Sequence, residues 1–110
     1  LNYIERKELF TKFCVNKKFS NPQGTVQGGM VAACFDDTFG PLGMVTARNL
    51  VMSIDMNIQY IRAVPIEQDI FIHTKVITHS PTTLFIRADA FNSRQKLLAQ
   101  ASSNLFIVRK

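Results

Sequence analysis

The sequence predicts an α+β domain in which a curved antiparallel sheet of about five strands wraps one long central helix. Three observations support this prediction. Residues 27–47 are apolar on nearly every side of a helix, so such a helix should be buried. Past residue 50 the apolar period changes from helical to two. The strand-like segments that follow are joined by short turns, which place neighbouring strands antiparallel, and a curved sheet can then bury the helix.

The elements before and within the helix follow in chain order. Residues 1–9 are charged and weakly periodic, which indicates a loose or short helical lead-in. Residues 10–17 alternate apolar and polar side chains as a first strand does. A dense loop signal, Ser20–Gly24, comes next. Gly28-Gly29 opens the helix, and Gly40-Pro41 is expected to kink or break it, because proline lacks an N–H and clashes with the preceding turn.

Four more strands are expected after the helix. The first alternates cleanly, with one face made by Met52, Ile54, Met56, Ile58 and Tyr60 and the other by Ser53, Asp55, Asn57 and Gln59. Turns are indicated at Val64-Pro65, at His79–Pro81 and at Asn92–Gln95. These turns separate the remaining strands, which are expected at 69–78, 82–91 and 96–108.

Length and composition favour one folded domain over residues 1–110. With 46% hydrophobic residues the chain can build a core. Its two cysteines, Cys14 and Cys34, lie in apolar stretches and are expected to be small buried residues and not a disulfide framework. The cysteines and the two histidines lack metal-ligand spacing, so no metal and no cofactor is expected.

The net charge and its distribution indicate which class of binding partner to expect. The net charge is +5 and the isoelectric point is near 9.6. The basic residues are scattered without an aromatic RNA-binding signature, which argues against nucleic acid and favours a phosphate-bearing small molecule, with a merely solvated surface as the alternative. No stretch approaches the length of a membrane span and no apolar leader is visible, so we expect no membrane partner and a cytoplasmic location.

Three stretches carry a family resemblance. The segment Asn21–Asp36 reads NPQGTVQGGMVAACFD and resembles the PaaI-type acyl-CoA thioesterases of the hotdog fold. Their pattern is an Asn, then G-x-[VL]-H-G-G, then a carboxylate seven residues past the second Gly. Residues 53–63, SIDMNIQYIRA, are similar to the strand S-[VI]-D-[ML]-N-x-x-Y-x-R of that family, and LLAQASSNLFIV is similar to its last strand. The resemblance implies a hotdog fold and thioester hydrolysis of acyl-CoA.

One residue departs from the family pattern. Gln27 stands where the family usually has His before the two glycines. Its amide can still donate a hydrogen bond, but it cannot act as an acid or a base. Its presence argues against a hotdog dehydratase or hydratase, whose chemistry needs a His to move protons at carbon. A non-catalytic acyl-thioester binding module stays open as the other alternative.

Thioester hydrolysis needs an oxyanion donor and a group that attacks or activates water. The backbone N–H of Gly28, at a helix N-terminus, is the candidate donor, with a tight turn into the helix as the alternative role of Gly28-Gly29. Asp36 is the candidate base or nucleophile, since a carboxylate among apolar helix residues is costly unless paired or functional. Alternatively Asp36 reaches solvent at a helix edge. Asp36 and Asp37 are not expected to share a face, since neighbours on a helix point about 100° apart. The spacing of the family that the sequence resembles selects Asp36, so Asp37 is the second choice, as an exposed or intersubunit residue.

Distance along the helix predicts a dimer. Gly28 and Asp36 lie roughly 12 Å apart on one helix, whereas both must approach one carbonyl within about 3 Å. We therefore expect an isologous homodimer, with each of two shared sites taking Gly28 from one chain and Asp36 from the other. Dimers could pair further into homotetramers.

The resemblance adds further site residues. It implies that Asn21 orients the loop or the substrate carbonyl and that Ser53 helps to place the water. Turn chemistry explains Asn21 equally well, and an outward position on the strand explains Ser53 equally well. Gly29, Asp37 and Arg62 are the expected substrate-binding residues. Arg62 is the weakly preferred contact for CoA phosphates among the basic residues Arg48, Arg62, Lys75, Arg87, Arg94 and Lys96.

Overall fold

The computed structural model describes residues 2–5, 8–14, 28–64 and 66–108, with the side chains of all of these except residues 2–5 and 28–29. The described part holds one helix and seven strands. In chain order they are β1 (Asn2–Glu5), β2 (Glu8–Cys14), α1 (Gly28–Ala47), β3 (Leu50–Ser53), β4 (Asn57–Tyr60), β5 (Asp69–His79), β6 (Thr83–Phe91) and β7 (Leu97–Val108). No helix within these ranges is long and apolar enough to cross a membrane.

The strands form one sheet in the order β1-β2-β5-β6-β7-β3, and β4 pairs with the same side of β7 as β3 does. Every strand pair in the described sheet is antiparallel. Helix α1 contacts β2, β3, β5, β6 and β7. A single helix can touch so many neighbouring strands only where the sheet curls around it. The predicted α+β layout is thereby confirmed.

The core lies between one side of α1 and the concave face of the sheet. Phe35, Phe39 and Leu42 are fully buried on the helix, each about one helical turn from the next. They face alternate residues of the central strands, including Ile86 and Leu105, which are also fully buried. Complete burial of such side chains stabilises a fold by about 1.5–3 kcal/mol each. This packing fixes α1 against the sheet and so orients its opposite face.

The N-terminal lead-in and the helix differ from the prediction in three respects. Asn2–Glu5 is an edge strand paired with the adjacent strand β2, where a loose or helical segment was expected, because four residues are too few to show a clear alternation. Pro41 lies inside α1 without breaking it, so the expected break is wrong and the expected kink remains a prediction. The cost of an interior proline is about 3 kcal/mol, and burial of Phe39 and Leu42 on either side outweighs it. The helix is also buried on one side only within the single chain.

The chain reverses direction after the last residue of α1. Arg48 follows the last helical residue with a φ of 54°, the left-handed conformation that commonly ends helices. Strand β3 starts two residues later, and a methyl group added at Gly43 would lie 3.2 Å from Cγ2 of Val51. Since Val51 lies beside Gly43, one turn before the helix end, β3 returns towards the N-terminal half of α1.

The predicted strand over residues 52–60 is two strands separated by a bulge. Ser53 pairs with Leu105 at the end of β3, and Asn57 pairs with Ser102 at the start of β4. Three residues, 54–56, therefore oppose only two on β7. An extra residue of this kind is a β-bulge, and it exchanges the two faces of the strand that follows it.

The exchange of faces is visible in the burial of the side chains. Before the bulge, Val51 packs against the core while Met52 is 61% exposed. Met56, the last residue of the bulge, and Ile58 after it pack against the core. The continuous apolar face predicted for Met52, Ile54, Met56, Ile58 and Tyr60 is therefore wrong, and Ile54 is 59% exposed.

Candidate active site

Helix α1 begins at Gly28, as the Gly28-Gly29 signal predicted. The first backbone N–H groups of a helix have no partner within it and carry its positive dipole end. No acidic residue lies in the first turn to offset that charge. Asn21 and Gln27, which were expected to flank this helix start, lie outside the described residues.

Asp36 and Asp37 both lie on the side of α1 that faces away from the sheet, and both are exposed in the single chain. The expectation that Asp36 lies on a buried face is wrong for one isolated chain, and the alternative of a solvent-reaching carboxylate holds. The expectation that the two cannot share a face also fails, because the exposed sector of α1 is wider than the 100° between neighbours. They are the only charged residues in α1.

The exposed side of α1 is otherwise apolar or small. Ala33, Pro41, Met44 and Val45 are exposed there, with Met44 at 42% and Val45 at 56%. Cys34, one turn before Asp37, is buried at the border of this surface, and burial together with the charge of the nearby Asp37 raises the pKa of its thiol. The two carboxylates thus stand on an apolar surface that one chain leaves uncovered.

Ser53 is the last residue of β3 and lies on the inner side of the sheet. Its partner on β7, Leu105, is fully buried, and side chains of directly paired residues point to the same face. Ser53 itself is exposed because it stands near the edge of the sheet. From Val51 to Ser53 the strand advances about 6.6 Å, in the direction of the helix turn that carries Asp36.

Arg62 follows β4 and is exposed. Its Nη1 donates a 2.7 Å hydrogen bond to the carbonyl oxygen of Leu97 on β7. This contact gives Arg62 a structural role at the start of β7. It leaves the other guanidinium N–H groups free of any hydrogen bond within the described part of the chain.

A single chain does not bring the predicted residues together at one point. Along the continuous helix, Gly28 and Asp36 lie roughly 12 Å apart. One carbonyl therefore cannot meet the Gly28 N–H and the Asp36 carboxylate of the same chain.

Sequence reasoning missed Asp55, which lies in the bulge. Its carboxylate accepts hydrogen bonds from the backbone N–H of Asn104 at 2.9 Å and from Nδ2 of Asn104 at 3.0 and 3.3 Å. These bonds favour the ionised form, so the pKa of Asp55 falls below its ordinary value of 3.8. The strand motif matched at residues 53–63 includes an Asp at this position, but the alternation of polar residues gave no signal of its contact with β7.

Comparison with known proteins identifies the family. Residues 23–99 match the sequence pattern described as "Thioesterase superfamily". The chain belongs to the thioesterase superfamily. Membership confirms the predicted class of enzyme, a thioester hydrolase, and the superfamily match spans both the helix start and the strand motif that first indicated it.

Relatives and solved structures agree with this membership. The thioesterase superfamily chain is 30% identical over 86% of its length to a mouse protein named acyl-coenzyme A thioesterase 13, of which it spans 69%. It spans 63% of the human protein of that name. A zebra fish structure, thioesterase superfamily member 2, has a TM-score of 0.88 at 29% identity. The match covers 96% of this chain and 78% of the zebra fish chain.

Two more distant structures share the fold. A Streptococcus mutans protein crystallised with acetyl CoA has a TM-score of 0.92 at 18% identity, covering 98% of this chain and 86% of its own. The structure of the Escherichia coli PaaI protein has a TM-score of 0.88 at 14% identity, and the match covers 94% of this chain and 74% of the PaaI chain. The hotdog fold implied by the sequence resemblance is therefore confirmed.

Proposed function

We propose that this thioesterase superfamily chain hydrolyses acyl-CoA to a free carboxylic acid and CoA in a homodimer with two shared sites. The observation that carries this proposal is the continuous helix α1, which separates the Gly28 N–H from the Asp36 carboxylate by roughly 12 Å. A partner helix running antiparallel would bring its Asp36 near the Gly28 of the first chain. The name of the mouse relative, acyl-coenzyme A thioesterase 13, supports acyl-CoA as the substrate class.

Each residue has a defined part in the proposed reaction. The thioester carbonyl oxygen accepts a hydrogen bond from the Gly28 N–H, which stabilises the negative charge that develops during attack. Asp36 either removes a proton from the attacking water or attacks the carbonyl carbon to form an anhydride that water then opens. In both routes the C–S bond breaks and the CoA thiolate leaves with the bonding electron pair.

The remaining residues support the same centre. Ser53 is proposed to hold the attacking water, and Asn21 and the Gln27 amide to hold the substrate carbonyl through hydrogen bonds. Gln27 has no proton to exchange near neutral pH, so the proton transfers fall to Asp36. The proposed substrate contacts outside the reacting centre are Gly29, Asp37 and Arg62, with Arg62 meeting a CoA phosphate.

Two exposed apolar surfaces support the dimer. One is the uncovered side of α1, with Met44 and Val45 beside the only two charges of the helix. The other is strand β3, where Leu50 is 52% and Met52 61% exposed. Beyond β3 no further described strand continues the sheet. Exposed apolar residues on an unpaired edge strand favour association with a second strand, and an isologous partner supplies one.

Turnover is tested with a panel of acyl-CoAs and a thiol-reactive chromophore that detects released CoA. Asp36→Asn is expected to lower kcat by a factor of roughly 10²–10⁴, the range for losing a general base. Asp69→Asn, which removes an exposed carboxylate at the start of β5, is the matched control and should keep wild-type kcat. If Asp36→Asn keeps full turnover, the catalytic assignment is wrong. Tight acyl-CoA binding without turnover by the wild-type chain would identify a binding module instead.

The shared site is tested by complementation between two inactive variants. Gly28→Pro removes the proposed oxyanion donor, and proline is tolerated in the first position of a helix. Gly28→Ala keeps the N–H and serves as its control. In a heterodimer of Gly28→Pro and Asp36→Asn chains, one of the two sites holds both intact residues. Random assembly should therefore restore about a quarter of wild-type activity, whereas sites built within one chain would stay inactive on mixing.

A further inference from the structure

The bulge at residues 54–56 decides where Ser53 points. In β3, Ser53 shares the inner face with Val51, and in β4 the inner face belongs to Ile58, opposite Ala101. Position 53 is odd and position 58 is even. A regular strand alternates without interruption, so it could turn only one of these two residues towards the helix. The extra residue lets both face inward.

A competing register is built into the sequence. Without the bulge, Met52 and Ile54 would share the inner face with Ile58, and Ser53 would point outward. That register would bury two large apolar side chains that are now 61% and 59% exposed. Apolar burial favours it, so a specific set of contacts must favour the bulged register instead.

Among the described residues, the hydrogen bonds that favour the bulged register over the competing one involve residues 54 and 55. The Ile54 N–H donates a 2.8 Å hydrogen bond to the carbonyl oxygen of Asn104. The buried Ser103 hydroxyl donates to the carbonyl oxygen of Asp55 at 2.5 Å. The Asp55 carboxylate accepts the Asn104 backbone N–H and its side-chain amide. Asp55 thus closes a ring of hydrogen bonds between the bulge and the two β7 residues that face it.

We propose that Asp55 is a positioning residue: by holding the bulge on Asn104, it keeps Ser53 on the helix side of the sheet, where Ser53 serves the reaction. The catalytic part of this inference rests on the proposed function of Ser53. Asp55 is itself exposed and bonds to β7, so it acts through Ser53 and not on the substrate. Bulges beside active sites commonly re-aim one side chain in this way.

The kinetic test compares Asp55→Ala with Ser53→Ala and with the double variant in the acyl-CoA assay. We expect Asp55→Ala to lower kcat roughly tenfold, as loss of positioning does, while KM stays near wild type. Adding Asp55→Ala to Ser53→Ala should cause no further loss, because both changes remove the same contribution. An additive further loss, or full kcat in Asp55→Ala beside a reduced kcat in Ser53→Ala, would contradict the inference.

Conservative and matched variants keep the test decisive. Asp55→Asn retains an oxygen that can accept a hydrogen bond from the Asn104 backbone N–H. The Asn104 side-chain amide can turn over to pair with the amide of the new Asn side chain. We therefore expect Asp55→Asn to have most of the wild-type kcat. Asn104→Ala, which removes the side-chain half of the contact from the other strand, should lower kcat less than Asp55→Ala. If Asp55→Ala does not fold, the other two variants decide. The proposal is overturned if Asn104→Ala has wild-type kcat while the kcat of Asp55→Asn stays well below wild type.

A structural readout separates this inference from the proposed function. Cross-strand nuclear Overhauser effects between Ser53 and Leu105 report the bulged register in solution. If Ser53→Ala keeps full kcat, the catalytic role of Ser53 fails, but loss of the Ser53–Leu105 contact in Asp55→Ala would still support the positioning role. Retention of that contact in Asp55→Ala would overturn it.

Discussion

The Thr74 hydroxyl on β5 donates a 2.8 Å hydrogen bond to the hydroxyl of Thr38 on α1, and both side chains are fully buried. Thr38 in turn donates a 2.8 Å bond to the carbonyl oxygen of Phe35. This chain of bonds joins the helix to the middle of the sheet inside a mostly apolar core. It satisfies two polar groups that burial would otherwise penalise.

The Thr38–Thr74 pair predicts unequal costs for two similar substitutions. Thr38→Val leaves the Thr74 hydroxyl without this acceptor, so we expect a loss of about 1–3 kcal/mol in the free energy of unfolding. Thr74→Val leaves Thr38 bonded to Phe35 and should cost about 1 kcal/mol or less. Urea denaturation measures both. The double variant should cost less than the sum, and an equal or larger cost for Thr74→Val would contradict this account.

Gly43 predicts a packing limit between α1 and β3. Alanine in a helix is favoured over glycine by about 1 kcal/mol, but a methyl group at Gly43 would lie 3.2 Å from Val51 Cγ2. We expect the tight contact to cancel most of the gain in Gly43→Ala. In a Val51→Ala background the same change should stabilise the protein by about 1 kcal/mol. Thermal denaturation of the four proteins checks this, and equal effects of Gly43→Ala in both backgrounds would argue against a steric limit.

Asp55 predicts a pH-dependent contribution to stability. Hydrogen bonds from Asn104 lower its pKa below 3.8 in the folded protein, so the folded state holds its proton less tightly than the unfolded chain does. This contribution is complete above the ordinary pKa and is lost as the pH falls through the folded value. The Tm advantage of wild type over Asp55→Asn should therefore shrink between pH 5 and about pH 3. A constant difference over that range would count against an ionised Asp55 in the contact.

Cys34 and Cys14 predict two classes of thiol. Burial and the charge of Asp37 raise the pKa of Cys34, which lowers its thiolate fraction. Cys14 is exposed, contrary to the expectation from its apolar context. We expect a thiol reagent at pH 8 to modify one cysteine in the native protein and both in denaturant. Mass spectrometry identifies the site, and rapid native labelling of Cys34 would contradict its buried environment.

The exposed edge strand predicts which substitution separates the proposed dimer. Met52→Glu would place a charge on the apolar face of β3, and we expect it to yield monomers in sizing experiments at micromolar concentration. Ile77→Glu is the matched control on β5, where Ile77 is 48% exposed, and it should leave the assembly unchanged. A wild-type monomer under these conditions would refute the shared-site dimer, and a Met52→Glu dimer would refute the role of β3 in it.

Local sequence patterns were sufficient for most of the fold. The helix over 27–47 and the strands near 69–78, 82–91 and 96–108 were predicted within three residues of their observed bounds, because periodicity reports which face is buried. The helix start at Gly28 follows from local glycine chemistry in the same way. The proposed catalytic roles of Gly28 and Asp36 remain predictions.

The tertiary structure alone decided the features that depend on contacts between distant residues. Periodicity predicted one continuous strand over 52–60, yet β7 pairs with it in two registers because Asn104 holds Asp55. Asp36 lies on the uncovered side of α1 because the sheet packs against Phe35, Phe39 and Leu42 on the opposite side. The helix is apolar on nearly every side, so its sequence alone did not show which side the sheet covers. The sequence by itself determined which segments are helix and strand, since that depends on neighbours along the chain. Packing and hydrogen bonds across the fold decided which way Ser53 and Asp36 face.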